Sequence, residues 1–186
     1  NVIIGNIEHS VQRTTYNFDL ELPQGSDYII AFQRCCRPAN LNNVENPGEK
    51  GMALQLEIFA SALMQEINSP VINKVPFGIL LVNEPFAYRL GFTKPDLTTI
   101  EFNFISPKES GGLDDLMTGV DVDCCNCIKP FPAECPPPYD DIVFLEGYSS
   151  EKPFGVDNDV ILDKETSELK GEIDMLGKFN YGIEIK

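Results

Sequence analysis

Length, composition and charge set the first limits on this chain of 186 residues, of which 42% are apolar and whose formal net charge is −15. The chain is long enough for one large domain or two small β-sandwiches. Its acidity argues against a nucleic-acid partner, because little positive charge is available to neutralise phosphates. For the same reason it disfavours binding to membranes of anionic lipid. No apolar run approaches the roughly 20 residues of a membrane-spanning helix, so we expect no membrane insertion.

The first third of the chain is dominated by strand patterns. Residues 14–22 alternate between apolar and polar side chains, which predicts a strand with Tyr16, Phe18, Leu20 and Leu22 on one face. Further along, the predicted elements are a turn at 23–26, strands at 27–34 and 53–60, and a helical turn at 61–66. We expect these elements to form a first β-sandwich module over residues 1–76.

The second module is expected over residues 77–186. A strand at 99–105 should place Ile100, Phe102 and Phe104 on one face, whereas residues 106–138 are rich in glycine, proline and cysteine and predict a long loop. Further strands are predicted at 141–145, 160–162, 169–173 and 178–185, with the last two forming a strand pair. Since no segment keeps a period of 3.6 residues, the fold class is predicted to be all-β.

The six cysteines form two clusters and are Cys35, Cys36, Cys124, Cys125, Cys127 and Cys135. An even number in two clusters is typical of a disulfide framework in an oxidising compartment. Neighbouring cysteines in a strand point to opposite faces, so Cys35 and Cys36 should reach different partners, in the 124–135 cluster. These bridges would pin the 106–138 loop. A zinc site built from that cluster is the alternative, although its Cys-Cys-x-Cys spacing is crowded for one.

An ordered series of short motifs covers most of the chain. It comprises Gln33-Arg-Cys-Cys-Arg37, Asn46-Pro-Gly48, Asn68-Ser-Pro70, Val82-Asn-Glu-Pro85, Pro136-Pro-Pro-Tyr139, Glu146-Gly-Tyr-Ser149, Pro153-Phe-Gly155 and the Asp163 to Gly177 hairpin. The series resembles very large surface proteins of Bacteroidota, often labelled gliding-motility-associated and exported by the type IX secretion system. The resemblance implies tandem immunoglobulin-like or cadherin-like β-sandwiches in an extracellular adhesin or filament at the cell surface, with a signal peptide upstream and a secretion domain downstream.

The chain departs from the family pattern at two positions that matter. Residues 93–99 stand where relatives usually carry Asp-Pro-Asp-Gly-Asp, so only Asp96 remains as a carboxylate for a cadherin-like calcium site. Ser167 stands where the hairpin motif usually has Gly, so a residue other than glycine has to adopt the turn conformation at this position.

The residues that carry chemistry are few. His9 is the only histidine, and no Gly-x-Ser-x-Gly elbow is present, so we expect no enzymatic activity. Calcium is the one cofactor considered, with alternating oxygen ligands at Asp121-Val-Asp123 and, as the preferred pair, at Asp157 and Asp159.

A cluster of aromatic residues suggests a sugar-binding surface, although aromatic residues spaced along strands usually belong to the core and the chain has no Trp. Tyr139, Phe144, Tyr148 and Phe154 cluster in sequence beside prolines, and Tyr148 and Phe154 are the candidate ligand-binding residues. The sequence thus favours a structural or adhesive module of a large surface protein, whose partners are neighbouring modules or subunits and polysaccharide. The alternative is a glycan-binding, lectin-like surface module.

Overall fold

The computed structural model describes residues 14–34, 37–74, 79–93, 99–110 and 137–186, together with the backbone of residues 2–4 and 7–9. The strands in these ranges are β1 (Val2–Ile4), β2 (Ile7–His9), β3 (Tyr28–Arg34), β4 (Met52–Ile58), β5 (Val71–Lys74), β6 (Phe86–Arg89), β7 (Gly91–Thr93), β8 (Phe102–Ile105), β9 (Ile161–Leu162), β10 (Glu168–Gly171) and β11 (Gly182–Ile185). The one α-helix of the described residues, α1 (Ala60–Met64), is a single turn, and a 3-10 turn covers Pro47–Glu49. The prediction of an all-β fold is confirmed.

The main core lies among two small antiparallel sheets. One has the strand order β6-β10-β9 and the other pairs β11 with β8. Apolar side chains of both sheets enter one cluster, whose buried members are Phe102, Phe154, Val160, Leu162, Leu169 and Ile173. Phe102 stacks on Phe92 of β7 with a centroid distance of 4.7 Å. The predicted apolar face of the 99–105 segment is thus the face that packs inward.

A tight turn at residues 163–167 joins β9 to β10. The Asp163 carboxylate accepts hydrogen bonds from the backbone N–H groups of Glu165 and Thr166, at 3.1 and 2.8 Å. These donors favour the ionised form and lower the pKa of Asp163, the Thr166 N–H most strongly. Ser167 adopts the left-handed conformation (φ 62°) that the motif usually assigns to Gly. Its buried hydroxyl donates to the Leu90 carbonyl at 3.0 Å, which ties the turn to the end of β6.

Residues 141–145 do not form the predicted strand, since only Asp141 and Phe144 make isolated bridges, to Lys108 and Val44. Two further sequence predictions for the strands were wrong. Residues 14–22 are not a strand, and the side chains of Tyr16, Phe18 and Leu20 are 66%, 63% and 56% exposed. Alternation makes this segment competent to form a strand, but a strand needs a backbone partner, and none lies against it in the described part of the chain. In β4 the apolar alternation is also exposed, because Leu54 and Leu56 face outward.

The second error concerns the last two strands, which do not pair with each other. β10 pairs with β6 and β9, whereas β11 pairs with β8. β10 ends at Gly171, where any side chain would collide with the Asp159 carbonyl. The following segment is held elsewhere, since the Ile173 carbonyl accepts from Asn83 N–H at 2.9 Å. This connection carries the chain to the other sheet.

Several contacts join the two predicted modules, 1–76 and 77–186. β5 pairs with β7, and the Ala53 N–H donates to the Lys108 carbonyl at 3.1 Å. The described ends of the predicted 106–138 loop meet each other, because Glu109 N–H donates to the Asp140 carbonyl at 2.8 Å. The division into modules and the disulfide pinning of this loop stay predictions.

Candidate functional site

The two candidate ligand-binding residues, Tyr148 and Phe154, and the preferred calcium pair, Asp157 and Asp159, all belong to one loop, residues 146–159. Its turns are closed by short-range hydrogen bonds, including Val156 N–H to the Gly147 carbonyl at 3.0 Å. Asn158 is buried and fixes the loop to its neighbour. Its amide donates to the Phe154 carbonyl at 2.8 Å and its Oδ1 accepts from Asp174 N–H at 2.9 Å. These hydrogen bonds hold the backbone of the loop in place and thereby position its side chains.

An aromatic cavity of about 220 Å³ lies beside this loop. Phe154 forms its inner wall, with ring centroids 5.8 Å from Phe179 and 5.3 Å from Tyr181. Burial, and then the proximity of Tyr88, raise the pKa of Tyr181, so its hydroxyl stays protonated and able to donate. The other walls are supplied by Leu80, Leu81, Val82, Phe86, Tyr88, Leu169, Ile173, Met175, Leu176, Gly177 and Lys178. Most of the lining side chains are apolar, but polar atoms supply a large share of the cavity surface, and the two tyrosines and Lys178 are among the lining residues.

The two candidate ligand residues occupy different environments. Phe154 is only 4% exposed and belongs to the core cluster, so its ring cannot serve as an open stacking platform. Tyr148 is half-buried, with its ring centroid 6.2 Å from that of Phe179 and its hydroxyl 3.3 Å from Met175 Sδ. Tyr148 is thus not one of the residues that line the cavity, but it contacts two of them.

The preferred calcium pair lines a second groove, of about 610 Å³, which shares Phe86 with the aromatic cavity. Asp157 and Asp159 are both exposed, and Asp159 is paired with Lys152 at 3.3 Å. Glu172 and Asp174 line the same groove. Among the described residues, no group of three or more histidine, cysteine or acidic side chains is arranged to hold a metal ion. The geometry therefore offers exposed carboxylates without a closed cage of oxygen ligands.

Of the other aromatic candidates, Tyr139 is buried and Phe144 is half-buried. The cysteines, the histidine side chain and the second calcium pair lie outside the described residues. All six cysteines fall in positions 35–36 and 111–136, as do Asp121 and Asp123, and the side chain of His9 is not described either. The disulfide framework and the alternative zinc site therefore both stay predictions.

Sequence reasoning missed Asn43, the most deeply buried polar residue of the described chain at 0% exposure. Its amide nitrogen donates to the carbonyls of Pro153 and Asn180 at 2.8 and 2.7 Å, and its Oδ1 accepts from Asn180 N–H at 2.9 Å. Asn43 therefore ties the segment after the cysteine pair to the 146–159 loop and to the chain leading into β11. An asparagine in a polar run carries no sequence mark of burial, so no pattern could have revealed this role.

Arg37 is a second buried polar residue that the sequence did not single out. Its guanidinium donates to the carbonyls of Gly51 and of Lys108, the latter at 2.7 Å. Burial lowers the pKa of Arg37, and the nearby Glu109, itself paired with Lys50 at 2.7 Å, opposes this shift. The Arg37 side chain thus connects the chain directly after the cysteine pair to Gly51 and to the beginning of the predicted 106–138 loop.

Comparison with known proteins adds no relative to these observations. No family model, no curated protein and no solved structure matches the chain. Within the described residues, no helix has the length and apolar character required to cross a bilayer. The fold and the site thus define a strand-rich protein with an aromatic cavity and an acidic groove.

Proposed function

We propose that this chain is a non-catalytic structural or adhesive module of a large secreted bacterial cell-surface protein or filament, acting in surface attachment or gliding motility. In this proposal it consists of tandem immunoglobulin-like or cadherin-like β-sandwiches, and its partners are neighbouring modules or subunits and polysaccharide. The all-β fold is compatible with such modules, and the ordered motifs resemble them. A module that carries mechanical force along a surface protein needs bonds between segments of its chain that are distant in sequence.

The observation that carries the proposal is the contact made by Arg37. This residue directly follows Cys36, and its guanidinium binds the Lys108 carbonyl at 2.7 Å. Lys108 lies where the predicted loop begins, and Glu109 and Asp140 meet where the described ends of that loop come together. The described ends of the two cysteine-bearing segments are thus neighbours, which supports bridges from Cys35 and Cys36 to the 124–135 cluster. Each bridge would add about 2–4 kcal/mol to the stability.

Peptide mass spectrometry under non-reducing conditions, with metal analysis of the same sample, tests this stapling. We expect peptides containing Cys35 and Cys36 to be linked to peptides from the 124–135 cluster, with no stoichiometric metal. Since Cys35 and Cys36 are neighbours, a protease that cuts after arginine leaves them on one peptide, and fragmentation of the linked species then assigns each partner. Free thiols together with one zinc per chain would contradict the proposal and establish the zinc alternative.

The adhesive role predicts that beads coupled to the purified chain adhere to cellulose- or agarose-coated glass under flow better than albumin-coated beads do. In the structural reading, attachment is a property of the extended surface, so Tyr148→Ala should leave it unchanged. The glycan-binding alternative is favoured by the aromatic cavity beside Tyr148, and it predicts that Tyr148→Ala abolishes attachment. Adhesion equal to that of albumin beads would rule out both readings.

A further inference from the structure

One face of the β3–β4 strand pair exposes several large apolar side chains. Cross-strand partners in an antiparallel pair share a face, and the β3–β4 register pairs Ile30 with Leu56 and Phe32 with Leu54. The face therefore presents apolar side chains from both strands. A two-stranded sheet is marginally stable in water unless one face is covered, and here Phe32, Leu54 and Leu56 remain exposed.

The unpaired segment 14–22 extends this face. The Tyr16 ring lies 6.1 Å from the Phe32 ring, and at the other end of the segment the Tyr28 hydroxyl donates to the Pro23 carbonyl at 2.7 Å. Between these two contacts, Phe18 and Leu20 are exposed. We define the apolar patch as Tyr16, Phe18, Leu20, Phe32, Leu54 and Leu56.

The size of the apolar patch matches an interface. With about 200 Å² for a large apolar side chain, the exposed fractions of its six members correspond to roughly 600–700 Å². The largest apolar patch of an ordinary monomer is about 300–600 Å², whereas a standard interface takes about 800 Å² from each partner. The estimated area is below that average and within the range of about 600–1,000 Å² that a stable interface takes from each partner.

The apolar patch is nearly free of the negative charge that the rest of the chain carries. The chain carries 29 acidic residues, yet the face formed by positions 28, 30, 32, 34, 52, 54, 56 and 58 contains no carboxylate and one cation, Arg34. Asp19 and Glu21 alternate with the apolar side chains of the 14–22 segment. Because they alternate with the apolar side chains, these carboxylates lie on the opposite side of the segment, and a two-fold dimer brings together two faces that carry little charge to repel each other.

We propose that this chain forms a homodimer through the apolar patch, with the 14–22 segment of each copy covering the β3–β4 face of the other. The same segment was predicted from sequence to be a strand, and the dimer supplies the covering surface that the described part of one copy lacks. This inference does not depend on an adhesive function, since it concerns self-association alone.

Sedimentation equilibrium of the full chain, over a concentration series to about 100 µM, tests the dimer. Leu54→Lys and Phe18→Lys should each raise the dissociation constant at least about tenfold, because each buries an unpaired charge in an apolar interface. Val156→Lys is the matched control: Val156 and Leu54 are both 62% exposed, the charge change is the same, and Val156 lies in the 146–159 loop. We expect the control to dimerise like the unmodified chain.

Three outcomes would overturn the proposal. The first is a monomer at every concentration, which would mean that the apolar patch meets a different protein or another part of this chain. The second is a dimer that Leu54→Lys and Phe18→Lys leave intact, and the third is a dimer that is covalent on non-reducing electrophoresis. Circular dichroism verifies that Leu54→Lys folds. Phe18→Lys lies outside the strands and helices of the described chain, so it remains informative if Leu54→Lys fails to fold.

Discussion

Replacing Phe154 by alanine is expected to reduce the free energy of unfolding by about 3–5 kcal/mol. Its ring is 4% exposed and lies in the cluster that both small sheets share. Removing the ring takes away its contacts with Phe179 and Tyr181 and leaves a void that opens into the existing cavity of about 220 Å³. Because hydrogen bonds within the 146–159 loop oppose its collapse into this space, we expect a cost within the usual range for a buried phenylalanine.

Urea unfolding followed by circular dichroism measures this effect, with Tyr148→Ala as the control. The midpoint of thermal unfolding should fall by about 6–20 °C for Phe154→Ala in a chain of this length. Replacing the half-buried Tyr148 removes only its contacts with Phe179 and Met175, so this substitution should cost less than half as much. A loss below about 1 kcal/mol for Phe154→Ala would contradict a core role and return Phe154 to the candidate ligand-binding residues.

Asn43→Ala should destabilise the protein by about 2–4 kcal/mol, although it removes only three heavy atoms. The substitution leaves the Asn180 N–H and the carbonyls of Pro153 and Asn180 without the partner seen here. Since the site is fully buried, water cannot replace the lost amide without opening the structure. The expected cost is therefore the desolvation penalty of several polar groups rather than that of one average hydrogen bond.

Asn42→Ala is the matched control for this prediction. Asn42 is the adjacent residue and the same amino acid, but it is exposed, and its side-chain hydrogen bonds to Leu176 and Lys178 are both 3.3 Å long. Its substitution should cost less than about 1 kcal/mol, because water can satisfy the groups it leaves. Equal losses for the two variants in chemical denaturation would show that the buried network around Asn43 is not what holds the segments together.

The strands and turns that sequence predicted correctly are those whose cause is local. β4 and β8 follow from alternation of apolar and polar side chains. The 163–167 turn follows from Asp163, whose carboxylate can accept from the next backbone N–H groups in the same turn. In these cases the side chains that decide the conformation lie within a few residues of one another, so the pattern is readable in the chain itself.

The candidate site was only partly predictable for the same reason. Tyr148, Phe154, Asp157 and Asp159 lie in one short loop, so the sequence already grouped them. Their environments differ because other segments pack on the loop. Phe154 is covered by aromatic rings from residues 179–181, whereas Asp157 and Asp159 meet no comparable cover and remain exposed.

The sequence by itself determined the all-β character, the strong acidity and the positions of the local turns. Only the tertiary structure decided that residues 14–22 stay unpaired, that β11 joins β8, and that Asn43 rather than Asn42 is buried. An alternating pattern specifies two faces of a strand, but the surface that meets each face comes from elsewhere. For Asn43 the decisive partner is Asn180, 137 positions away, and no local pattern records a contact over that separation.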